Sequence, residues 1–162
     1  MDKILFFIIL ICSVILQICI FDHVRLLGIH YELLFSLTVF IGIKYDWKKG
    51  YLCGLWCGLL NDVFSIGPFG FSVLTYGFTG LSVSSFQTVI FTQQLGTRLF
   101  ILFIMSILIS FFSFMILDLF YYSEKQVLFK LDLLSVAIVN TVFSIPLYRF
   151  LDNISYEKRR YH

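Results

Sequence analysis

Long apolar runs, separated by short polar interruptions, set the first reading of the chain. A helix that crosses a bilayer needs about 20 mostly apolar residues, and six runs come close to that length. They predict helices over about 4–21, 31–45, 50–66, 69–91, 99–120 and 131–151. Only Ser13 and Gln17 interrupt the first run. Leu99 to Leu117 carries no charge and is the clearest span, while the second run is the shortest. Pro146 predicts a kink near the end of the sixth. Strands of a membrane barrel would alternate apolar and polar positions over about ten residues, and these runs do not alternate. The pattern predicts an all-α membrane protein with six transmembrane helices in a single domain over residues 1–162.

Composition changes the choice of solvent. The chain is 59% hydrophobic and 14% charged, against about 25% charged in soluble domains. A chain of 162 residues cannot hide so much apolar surface in its own interior. Lipid has to cover it. The basic residues then give an orientation. With both termini cytoplasmic and the spans alternating, nine of the twelve fall inside: Lys3, Lys44, Lys48, Lys49, Arg98, Arg149, Lys158, Arg159 and Arg160. Arg25, Lys125 and Lys130 fall outside, as the positive-inside rule expects. A formal net charge of +2 argues against nucleic acid as a partner. The tail Lys158-Arg159-Arg160 reads as a topology marker that meets anionic lipid. The first run reads as a retained anchor, because Phe21, Asp22 and His23 stand where a small-x-small cleavage signature would be.

The third run holds the densest information. Gly50, Gly54 and Gly58 recur every fourth residue and fall within about 80° of one helix face. Such a face lets a neighbouring backbone come close in a membrane. Gly70, Gly77 and Gly80 mark the next run, and all six glycines are expected to pack helices. Asn61 and Asp62 lie near the outer end of the third run, and a carboxylate is costly in lipid. Two readings of Asp62 stay open. It either shapes the turn at Gly67-Pro68, with Pro68 at or near the first position of the next helix, or offers a polar outer surface to a ligand or partner. Asp118 reads as a helix end in wet headgroups, and Asn61 and Asn140 as interhelical glue.

Catalytic and metal chemistry find little footing. Cys12, Cys19, Cys53 and Cys57 form no Cys-x-x-Cys pair and have no histidine at zinc-ligand spacing. Cys53 and Cys57 read as packing residues beside the glycine face. His23 and His30 belong to the first outer loop, and His162 is the last residue. With no nucleophile–base arrangement in view, no enzyme activity, cofactor or metal is expected.

Three stretches taken together resemble a known family. They are Glu32-Leu33-Leu34, the glycine helix ending Gly58-Leu59-Leu60-Asn61-Asp62, and Gly67-Pro68-Phe69-Gly70-Phe71-x-x-Leu74-x-Tyr76-x-x-x-Gly80. In order and spacing they are similar to the bacterial rod shape-determining protein MreD family, over residues 31–80. Many members have proline before the glutamate, where this chain has Tyr31. The resemblance implies a non-enzymatic, multi-pass subunit of the cell-elongation machinery in the bacterial inner membrane. It implies MreC, a bitopic membrane protein, as partner, and indirectly MreB, RodZ and the peptidoglycan-synthesising enzymes. It also implies a six-helix fold like the substrate-binding S components of energy-coupling-factor vitamin transporters, which supply the alternative function. Those proteins dock through an Ala-x-x-x-Ala-type motif on the first helix. Here the single alanine is Ala137 and Ile4 to Phe21 is bulky throughout, which favours the scaffold.

Overall fold

The computed structural model describes the backbone of residues 3–17, 19, 31–64, 69–86, 94–120 and 126–160. Among these residues there are six helices and no strand: α1 (Lys3–Leu16), α2 (Leu33–Lys44), α3 (Trp47–Phe64), α4 (Phe71–Phe86), α5 (Leu95–Phe120) and α6 (Gln126–Arg160). The third helix begins at Trp47 rather than Gly50 and the fifth at Leu95 rather than residue 99. The sixth runs on to Arg160, so the basic tail is helical. Pro146 lies inside α6 without ending it. A membrane helix tolerates the lost backbone bond where neighbouring groups compensate.

The shortest helix is the axis of the fold. α2 has 12 residues, about 18 Å of rise, and is buried at every position from Leu33 to Ile43. A helix that is apolar all round has no solvent-facing side to offer and belongs in the middle. α3 and α4 pair most extensively and both lie against α2, while α5 and α6 form a second pair and α1 touches α2. Phe35, Leu37 and Val39 of α2 pack in one core with Cys53, Cys57, Leu102 and Tyr148.

The distribution of polarity is inverted relative to a water-soluble bundle. Exposed apolar side chains recur at steps of four: Phe100, Ile104 and Leu108 on α5, and Leu134, Ile138 and Val142 on α6. Leu52 and Trp56 on α3 and Leu74 and Phe78 on α4 are exposed at the same spacing. Inside lie Ser13, Ser36, Thr38, Asp62, Ser72, Thr79, Ser84, Ser106, Asn140 and Ser144. A hydrocarbon solvent selects this arrangement, because polar groups in lipid have to be satisfied within the protein. Two stretches, Leu95–Ser113 and Leu134–Asn153, are long and apolar enough to cross a membrane, and α2 is a shorter apolar helix.

Candidate functional site

The glycines of α3 bring two backbones into contact. A Cβ on Gly54 would fall 2.7 Å from the carbonyl carbon of Tyr76 and 2.9 Å from the Cα of Gly77. One on Gly58 would fall 2.6 Å from the Cα of Val73, and one on Gly50 would fall 2.7 Å from the carbonyl oxygen of Gly80. Gly80 faces Gly50 in return, its Cβ position 2.8 Å from the Gly50 carbonyl carbon. α3 and α4 therefore run antiparallel with almost nothing between them. Gly42 of α2 joins the same crossing, where an added Cβ would fall 3.2 Å from the Gly80 carbonyl oxygen, and makes it a junction of three helices. Gly77 is looser, since its nearest contact is the tip of the Leu55 side chain.

Gly70 corrects an expectation. It does not pack helices: its added Cβ would meet nothing within 4 Å. Its φ of 96° is the reason for glycine there, because side-chain-bearing residues rarely adopt that region. The residue turns the chain into α4, and Asp62 holds the turn. Asp62 Oδ2 accepts from the backbone N–H of Gly70 at 2.8 Å and of Val73 at 3.2 Å, and Oδ1 accepts from that of Ser72 at 3.0 Å. The first N–H groups of a helix have no partner within it. Here a carboxylate from α3 supplies partners to α4, a cap provided by another helix, and its charge suits the positive end of the helix dipole. Asp62 is 7% exposed, with both oxygens turned onto backbone.

A seam of amides and hydroxyls continues from this cap across the bundle. Asn61 Nδ2 donates to Ser72 Oγ at 3.0 Å, and Gln17 Nε2 donates to Asn61 Oδ1 at 3.1 Å. Gln17 Oε1 in turn accepts from the backbone N–H of Leu34 at 3.1 Å. The N–H of Glu32 donates to Asn140 Oδ1 at 3.0 Å, and Asn140 Nδ2 reaches Ser106 Oγ at 3.4 Å. Two side chains from distant segments thus satisfy the start of α2. Tyr76 OH donates to Glu32 Oε2 at 3.3 Å. Farther along, Ser144 Oγ lies 2.8 Å from Ser36 Oγ and 3.2 Å from the Tyr31 hydroxyl, while Tyr148 OH donates to the Ser36 carbonyl at 3.2 Å. No buried side-chain nitrogen or oxygen among the described residues lacks a partner.

At the opposite end of the bundle, Asp152 of α6 gathers two cations. Lys44 Nζ lies 3.0 Å from Oδ1, and Arg98 Nη1 lies 2.9 Å from Oδ1 and 2.7 Å from Oδ2. Both cations also approach the Phe40 ring, at 5.0 Å and 6.0 Å. The end of α2, the start of α5 and the C-terminal part of α6 meet here, so α2 and α6 run one way and α5 the other.

The candidate residues fall into groups. Gly50, Gly54, Gly58 and Gly80 meet in one interface, with Gly77 beside it, and Asn61 and Asp62 meet at the start of α4. Pro68 and Gly67 lie outside the described residues, as do His23, His30 and the side chain of Asp118. Cys53 and Cys57 sit side by side in the core with sulfurs 3.8 Å apart. No group of three potential metal ligands gathers among the described residues. The structure adds Gly42, Ser36, Ser144, Tyr148 and Asp152 to the residues expected from the sequence. A signal for α6 was present: Asn140, Ser144, Tyr148 and Asp152 recur every fourth residue, a polar stripe on an apolar helix. Chemically the arrangement ties helices together. Its hydroxyls and amides answer one another, backbone or, at Tyr76, the Glu32 carboxylate.

Comparison with known families yields one finding. The model of the family described as rod shape-determining protein MreD matches residues 1–154. No curated protein and no solved structure matches the chain.

Proposed function

The chain belongs to the rod shape-determining protein MreD family, and from that premise we propose that it is a multi-pass scaffold of the cell-elongation complex in the bacterial inner membrane. Membership carries a part in rod shape determination and a membrane setting, which the two long apolar helices suit. The finer reading is that all six helices cross the bilayer, with both termini in the cytoplasm. The scaffold then engages an MreC-like bitopic protein, and through it MreB, RodZ and the enzymes that build lateral peptidoglycan. No catalytic step is assigned to it.

The observation that carries this reading is the polar seam. Among the described residues each buried polar side-chain atom is bonded within the bundle, so the interior is committed to holding helices in fixed register. A stiff body with an apolar exterior suits docking against another transmembrane helix, where packing and interhelical bonds drive association. Expression in a rod-shaped bacterium depleted of its own family member tests it. Rod shape should return, and an MreC-like protein should co-purify in mild detergent. Round cells despite normal accumulation of the protein, with no co-purified partner, would overturn the reading.

A further inference from the structure

Lys44 and Arg98 share the carboxylate of Asp152, but two lysines at the same end of the bundle do not. Lys48 and Lys49 open α3 and have no carboxylate partner among the described residues. Asp46 lies close in sequence, yet it meets Lys49 and Gly50 through its backbone carbonyl, which accepts their N–H groups at 2.9 Å and 3.0 Å. Each ammonium instead rests over an aromatic ring. Lys48 Nζ lies 5.6 Å from the centre of Trp47, and Lys49 Nζ lies 5.3 Å from that of Tyr45. A ring covers one side of an ammonium and leaves N–H donors free on the other. Aromatic side chains also favour the headgroup level of a bilayer, which sets the depth of the two cations.

The helix face beneath Lys48 is apolar. Leu52 and Trp56 follow it at steps of four, 54% and 46% exposed, so cation and apolar track lie on one line. The track from Lys48 to Trp56 rises about 12 Å. A cationic head above an apolar rail has the form of a phospholipid's complement. Free phosphate would use the head and leave the rail empty. We propose that Lys48 and Lys49 bind the headgroup phosphate of an anionic phospholipid whose acyl chains lie along Leu52 and Trp56. The inference rests on the membrane-spanning reading of the bundle, and is independent of which protein partners it has.

Native mass spectrometry of the protein released from nanodiscs tests the site. The nanodiscs contain phosphatidylcholine with a minority of phosphatidylglycerol. Wild-type protein should retain phosphatidylglycerol out of proportion to its abundance. The double variant Lys48→Gln, Lys49→Gln should lose that preference by on the order of tenfold, from the attraction of each lysine for an anionic surface. Lys48→Arg, Lys49→Arg should keep it. The wild-type preference should also fall as salt is raised, since exposed charges are screened, and this measurement needs no variant to fold. Retention unchanged in the double Gln variant, no preference in wild type, or a preference insensitive to salt would each overturn the proposal. Co-purification of the MreC-like partner, measured on the same variants, reads the scaffold function separately.

Discussion

Asp62 and Gly70 show how two residues fix one turn by different physics. The carboxylate supplies acceptors to three N–H groups at the start of α4, and the glycine supplies a backbone conformation. Asp62→Ala removes every acceptor while the helix start stays partly buried. The cost is about 2 kcal/mol or more, read as a lower melting temperature in detergent. Asp62→Asn keeps one oxygen at similar size and should fall between Ala and wild type. A wild-type melting temperature for the Ala variant would remove the cap from the account. Gly70 makes a sharper test, because sterics and conformation predict different results there. Space is open around it, so a packing view expects alanine to be neutral. The positive φ instead predicts a loss of about 1 kcal/mol. Gly96 is the control: it also has open space, but in the first turn of the helical α5. There alanine should be neutral or gain up to about 1 kcal/mol, by helix propensity. The same substitution should thus have different signs at two uncrowded glycines.

Elements differ in how far the sequence exposes them. The α3–α4 pair is legible because glycine leaves a periodic mark, and periodicity of four on a helix is a statement about one face. Asp62 is legible for a related reason, as a charge at the end of an apolar run has to be answered. α2 is the opposite case. It is buried on all sides, so it has no stripe for a periodicity test to find, and its length places it last among candidate spans. Its centrality is a property of the assembled bundle. The polar stripe of α6 is visible at Asn140, Ser144, Tyr148 and Asp152, yet nothing in one sequence says that its partners are Ser36, the N–H of Glu32 and Lys44. Those pairings depend on which helices become neighbours. Gly54→Ala forces a methyl group against the Tyr76 carbonyl and the Gly77 Cα, both backbone and unable to rotate away. Gly54→Leu should separate the helices outright. Expected results are reduced membrane accumulation for Ala, little or none for Leu, and, for the proposed MreC-like partner, loss of association in parallel. Normal accumulation and assembly of the Leu variant would mean that α3 and α4 do not meet through this face.

The whole molecule is a question of sidedness. α6 spans Gln126 to Arg160 and contains an apolar stretch from Leu134 to Asn153. Its 35 residues rise about 52 Å, beyond the roughly 30 Å of hydrocarbon. The two ends of α6 therefore belong in different compartments if the helix crosses. A reporter fused after His162 should be active only in the cytoplasm, and one inserted after Glu124 only outside. α3 offers a second, finer measurement on exposed residues that begin it and follow it. Lys48→Cys should react with an impermeant thiol reagent only from the cytoplasmic side, and Phe69→Cys only from outside, each in a background where the four native cysteines are replaced by serine or alanine. Asp152, in the C-terminal part of α6, pairs with Lys44 at the end of α2, and Lys48 follows Lys44 by only four residues across the short break before α3, so the two experiments are linked. Whatever side holds His162 also has to hold Lys48. Agreement between them supports alternating spans from α2 to α6, with the basic residues facing the cytoplasm as the positive-inside rule requires. If Lys48 and Phe69 label from one side, α3 does not cross, and the six-span reading fails even with α6 correctly placed.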